Sequence, residues 1–70
     1  MLPLYLTVLR ELKRSGPTTD RDLYRAVKSA CGTDISFSEF NRVLMVLELR
    51  GLIAVEPLKK GLRMVRLLER

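Results

Sequence analysis

Residues 40–53 read FNRVLMVLELRGLI, and the pattern of apolar residues changes at Gly51. Before Gly51, Phe40, Leu44 and Leu47 recur at the spacing of one helix face. After Gly51, the next four residues are all apolar, which is typical of a buried β-strand. Glycine takes the left-handed conformation that ends many helices at little cost. This stretch therefore predicts a helix that stops at Gly51 and leads directly into a strand.

Turn and capping signals predict the other elements. Ser15-Gly16 ends a first helix, Thr19 caps a second, and Ser36 or Ser38 caps the helix before Gly51. A second β-type run follows a short loop that contains Gly61, which predicts a hairpin. The sequence thus predicts helices over 2–14, 20–30 and about 36–50, a short extended segment over 17–18, and strands over 52–55 and 62–68. Leu23, Val27, Phe37, Phe40, Leu44 and Leu47 are expected to face the core.

The composition favours a binding domain over an enzyme. Seventy residues make a single domain, 1–70. Cys31 is the only cysteine, so no internal disulfide can form, and without histidine no zinc site is expected. The commonest general base is absent, and neither Cys31 nor the serines have an activating partner. We therefore expect no catalytic site, no cofactor and no small-molecule substrate.

The apolar start of the chain lacks the basic leader and small-residue cleavage site of a signal peptide. It is also shorter than the roughly 20 apolar residues that span a bilayer. A cytoplasmic protein without a membrane partner is expected. Arginine outnumbers lysine, glutamine is absent and Asn41 is the only asparagine, which suggests a thermophilic source.

The residues that surround Gly51 resemble a known family. Phe40-x-x-x-Leu44-x-x-Leu47-Glu48-x-x-Gly51-Leu52-Ile53 is similar to the end of the recognition helix in bacterial and archaeal winged helix-turn-helix transcription regulators. Residues 15–19 resemble the short strand between that family's first two helices, and residues 22–27 its second helix. The resemblance implies an α+β fold, with three helices and a C-terminal β-hairpin wing. It also implies double-stranded DNA as the partner.

The charges depart from the family pattern. Residues 34–50 carry two arginines against three acids, a net charge of −1, whereas residues 51–70 carry five cations against two acids, a net charge of +3. The link between the second and third helices also looks longer than in most regulators. Any DNA binding is therefore expected to depend on the wing and to be weakly sequence-specific.

Three groups of residues are candidates for DNA contact. The N-terminal part of the third helix would enter the major groove, the wing tip would contact phosphates, and the second helix would cross the backbone. Each group also has a simpler explanation as caps, protective edge charges or a solvated helix face. The candidates are Ser36, Ser38, Asn41, Arg42 and Met45 for the third helix, Lys59, Lys60 and Arg63 for the wing, and Arg21, Arg25 and Lys28 for the second helix.

The chain has more apolar surface than one small core needs, and large exposed apolar patches mark interfaces. A homodimer is favoured, because two-fold symmetry suits palindromic DNA sites. The expected interface residues are Leu4, Tyr5, Val8, Leu12, Val46 and Leu49. The alternatives are that one chain covers these residues itself, or that the domain is a protein–protein module that does not bind DNA.

Overall fold

Three helices and a three-stranded antiparallel sheet make up the computed structural model, which describes residues 2–68. The chain runs through α1 (Leu4–Ser15), β1 (Thr18–Thr19), α2 (Asp20–Cys31), α3 (Phe37–Leu49), β2 (Ile53–Lys59) and β3 (Leu62–Leu67). The strand order in the sheet is β1-β3-β2. This α+β arrangement follows the predicted order of elements and is compatible with a winged helix.

The predicted helix signals are found where the sequence placed them. The Thr19 hydroxyl accepts a hydrogen bond from the backbone N–H of Asp22 at 3.2 Å, which caps α2. Ser36, rather than Ser38, caps α3 by accepting from the backbone N–H of Glu39 at 3.0 Å. Gly51 has a φ of 75°, in the left-handed region. The prediction that α3 ends at this glycine is confirmed.

Two predicted boundaries were wrong by two residues or more, and proline explains both. α1 begins at Leu4 rather than Leu2, because Pro3 is extended and stands before the helix instead of in its first turn. β2 continues through Pro57 to Lys59, although we expected the strand to end before this proline. Because β2 lies at the edge of the sheet, a residue without an N–H is tolerated there.

One apolar core joins the helices to the sheet. It contains Val8, Leu12, Leu23, Val27, Ile35, Phe40, Leu44, Leu47, Ile53 and Val65. The expectation that Val8 and Leu12 belong to a dimer interface was wrong: these side chains are 0% and 1% exposed. They face inward on α1, so the single chain already covers them. Within residues 2–68, no helix combines the length and the apolar character that crossing a bilayer requires.

Candidate nucleic-acid interface

A groove of about 670 Å³ separates the turn of the β2–β3 hairpin from the N-terminal ends of α2 and α3. We call it the hairpin groove. It brings residues 20, 21 and 37 together with residues 57–63 in one surface. The groove is lined by Asp20, Arg21, Phe37, Pro57, Lys59, Lys60, Gly61, Leu62 and Arg63.

Besides Arg63, three cations line the hairpin groove. The Arg21 guanidinium reaches from α2 to the hairpin turn, so that a Cβ built on Gly61 would lie 3.7 Å from its Nη2. Lys59 and Lys60 are exposed beside it. No carboxylate within residues 2–68 forms an ion pair with any of these three side chains. Their charges are therefore available to an anion from outside the chain.

The basic surface continues along α2. Arg21, Arg25 and Lys28 lie on one face of this helix and, together with Tyr24, line a shallow depression. Arg25 contacts Asp22 at 3.5 Å, and Lys28 contacts Asp34 at 3.6 Å while lying over the Tyr24 ring. Such exposed ion pairs contribute about 0–1 kcal/mol, so phosphates can compete for both cations.

The predicted role of Arg63 as a free phosphate ligand needs correction. Its Nε donates to Asp20 Oδ2 at 3.0 Å, and its backbone N–H donates to Asp20 Oδ1 at 3.3 Å. Its Nη2 donates to the side-chain oxygen of Asn41. The Arg63 side chain is only 32% exposed and the Asp20 side chain 4%. The charge of Arg63 is thus neutralised inside the domain, and Asn41 is turned towards the hairpin instead of outward.

The sheet explains why Asp20 occupies this position. Thr19 is the last residue of β1 and pairs with Met64, so the next position of the antiparallel ladder would place Asp20 opposite Arg63. The chain enters α2 there, and the Asp20 carboxylate accepts the hydrogen bond from the Arg63 backbone that a further strand residue would have accepted. Asp20 therefore ties the N-terminus of α2 to the hairpin.

The outward face of α3 carries little charge. Ser38, Arg42, Met45 and Leu49 follow one another at helical spacing and are all exposed. Ser36 lies just before the helix and its hydroxyl is used as the cap. Of the five α3 candidates, Ser38, Arg42 and Met45 therefore share an outward face, whereas Ser36 and Asn41 make contacts within the chain.

Phe37 is one of the hairpin-groove residues that the sequence did not assign to the site. We expected it in the core, but it is 41% exposed. Its ring meets the Tyr24 ring edge-on at 5.2 Å and lies 5.8 Å from the Phe40 ring. Phe37 is the first residue of α3 and lines the hairpin groove at the end of that helix. The position of Phe37 directly after the Ser36 cap is the feature of the sequence that could have predicted its exposure.

A second, mainly apolar groove of about 480 Å³ lies between α1 and α3, and we call it the α1–α3 groove. Leu4, Tyr5 and Val46, which were expected in a dimer interface, all line it. Leu49, at the end of α3, is 86% exposed. The lining is completed by Arg42, Val43, Leu47, Arg50 and Leu52.

Within residues 2–68, the basic hairpin groove and the apolar α1–α3 groove are thus two surfaces whose chemistry could recognise a partner. Comparisons of the chain with protein-family models, curated proteins and solved structures give no match.

Proposed function

We propose that this chain is a winged helix-turn-helix domain that binds double-stranded DNA. The N-terminal part of α3 enters the major groove, while the hairpin, acting as the wing, contacts phosphates. The proposal describes a transcription regulator or a small chromatin-associated protein, not an enzyme. It fits the net charge of +5, since cations on the surface attract polyanions.

The observation that carries the proposal is the meeting of Arg21 with the hairpin turn at Gly61. This proximity joins the cations of α2 to Lys59 and Lys60 in one basic surface. The same groove is lined by Phe37, the first residue of α3. A helix end that could reach base edges therefore lies directly beside cations that could hold the flanking phosphates.

The outward face of α3 supports only weak sequence specificity. Arg42 is its one cation and could pair with guanine, whereas Met45 offers only apolar contact. The Asn41 side chain would have to leave Arg63 before it could pair with adenine. We therefore expect affinities for different duplexes to differ little compared with the effect of salt.

Salt dependence of binding to a random-sequence duplex tests the proposal. Each phosphate neutralised by a cation contributes about 0.9 to the slope of log affinity against log salt. Contacts from Arg21, Lys59 and Lys60 predict a slope of about −2.7, and the addition of Arg25 and Lys28 about −4.5. Fluorescence anisotropy of a labelled duplex across a salt series measures this slope.

The double variant Lys59→Ala/Lys60→Ala should flatten the slope by about 1.8. Arg10→Ala/Lys13→Ala is the matched control, since it removes two exposed cations from α1 that form no ion pair within residues 2–68. The control should leave the slope close to that of the wild type. Equal slopes for both double variants, or no binding at low salt, would refute the proposal.

The α1–α3 groove favours a second candidate function, a protein–protein interaction module. Its lining by Leu4, Tyr5 and Val46, with Leu49 exposed nearby, is the kind of apolar surface that interfaces cover. A second copy of the chain is the partner that we propose. Such a homodimer could accompany DNA binding, because the α1–α3 groove and the hairpin groove share no lining residue.

Sedimentation equilibrium tests the homodimer. Val46→Lys should shift the chain towards monomer, since it places a charge in the apolar groove next to Arg42 and Arg50. Ser38→Lys adds the same charge to the exposed face of α3 outside that groove and should leave the association unchanged. A wild-type chain that stays monomeric at high concentration would refute the proposed homodimer. If the domain were a protein–protein module that does not bind DNA, the anisotropy titration would also show no binding of the duplex.

A further inference from the structure

We propose that the hairpin groove binds an unpaired nucleotide, with its base stacked on Phe37 and its phosphates held by Arg21, Lys59 and Lys60. The inference rests on the proposed nucleic-acid function and makes it more specific. The preferred ligand is a duplex that carries a single-stranded extension or an unpaired end, rather than an uninterrupted duplex.

Phe37 has the properties of a stacking platform. Its ring is 41% exposed and faces the groove, where Pro57 and Leu62 provide further apolar surface. Contact with the Tyr24 ring, nearly perpendicular and 5.2 Å away between ring centres, restrains the Phe37 ring. A fixed ring with a free face can accept a base without paying to order the side chain.

The cations at the rim select an anionic ligand. Arg21, Lys59 and Lys60 are gathered around the groove without a carboxylate partner in the described part of the chain. The one acid of the lining, Asp20, is buried and paired with Arg63, so its charge is already compensated. A ligand with an apolar flat part and an adjacent negative charge fits this lining, and a nucleotide has both.

The exposure of Phe37 favours an unpaired base over a paired one. Bases within an undistorted duplex are stacked on both faces, so they offer no free face on which the Phe37 ring could stack. If the groove bound only phosphates, its cations would suffice and an exposed aromatic ring would not be needed. A base at the end of a strand has a free face, and stacking on an aromatic side chain depends little on base identity.

Anisotropy titrations with labelled DNA hairpins test the inference. One hairpin is blunt, and the others carry a short thymine extension on the 3′ or the 5′ strand. The extension should raise the affinity by about fivefold or more, the effect of one base stacked on an aromatic ring. Phe37→Leu keeps an apolar side chain but removes the ring, and it should abolish most of this gain. Leu6→Met is the control, because Leu6 is an exposed apolar residue of α1 outside the groove.

Tryptophan fluorescence gives an independent readout, because the chain contains no tryptophan. Phe37→Trp should be quenched by the extended hairpins and much less by the blunt one. Leu6→Trp, on α1 and outside the groove, should not distinguish between them. Thermal unfolding of each variant by circular dichroism shows whether it is folded.

The outcomes separate the two proposals. Salt-dependent binding of the blunt hairpin without any gain from an extension, or a gain that survives in Phe37→Leu, would overturn the stacking site and leave duplex binding intact. Failure of every hairpin to bind would overturn the proposed function and the stacking site with it.

Discussion

Replacing the buried Asp20 with alanine should destabilise the domain more than replacing an exposed acid such as Asp22. Asp20 accepts two hydrogen bonds from Arg63, one from the side chain and one from the backbone. Without the carboxylate, the backbone N–H loses its partner and the guanidinium keeps only Asn41. The hairpin would then be held less firmly against α2.

The geometry sets the size of this effect. Breaking a fully buried ion pair by removing one partner costs about 3–5 kcal/mol. Arg63 is 32% exposed, so water can solvate part of its charge and the loss is smaller. We expect a fall in the free energy of unfolding of about 2–3 kcal/mol, close to the value for a hydrogen bond to a charged group. For a domain of this size, that lowers Tm by roughly 10–20 °C.

Thermal and urea unfolding measure the effect, and Asp22→Ala is the matched control. Asp22 is exposed and contacts Arg25 at 3.5 Å, so its loss should cost at most about 1 kcal/mol. The double variant Asp20→Ala/Arg63→Ala should lose less stability than the sum of the single variants, by about 0.5–3 kcal/mol. Additive losses, or equal values for Asp20→Ala and Asp22→Ala, would refute the reasoning.

Three further predictions concern single residues. Arg63→Ala should lower Tm. It should change the salt slope of DNA binding by much less than the value of about 0.9 expected for Lys60→Ala, because Asp20 already neutralises Arg63. Equal changes of slope for the two variants in the anisotropy titration would contradict this. Gly51→Ala should cost about 1 kcal/mol or more in urea unfolding, because its φ of 75° strains a side chain; an unchanged midpoint would be the contrary result. Ser36→Ala should cost about 0.5–2 kcal/mol through loss of the α3 cap, and Ser38→Ala much less; equal melting temperatures would show that the cap contributes nothing.

Features set by neighbouring residues were predictable from the sequence. Thr19, Ser36 and Gly51 act through hydrogen bonds or backbone angles within a few positions, so their residue types and spacing carried the signal. The order of the six elements followed from the same signals. The basic residues of the hairpin turn and of α2 were also identified individually, although not their meeting at Gly61.

Features set by distant residues were not predictable. Arg63 lies 43 positions from Asp20 and 22 from Asn41, and no local pattern announces that these side chains meet. Helical spacing placed Val8 on the apolar surface of α1. It could not tell whether that position faces the core or a second chain. Phe37 was placed in the core because it shares the spacing of Phe40, whereas its exposure depends on which elements cover the end of α3.

Chemical-shift mapping tests the central claim most directly. Amide resonances of the domain, labelled with ¹⁵N, would be followed by NMR during titration with a short DNA hairpin at low salt. We predict that the largest shifts cluster at the hairpin groove and the start of α3, including Arg21, Ser38, Lys60 and Gly61. Shifts confined to the α1–α3 groove, or none in the presence of excess DNA, would contradict the account.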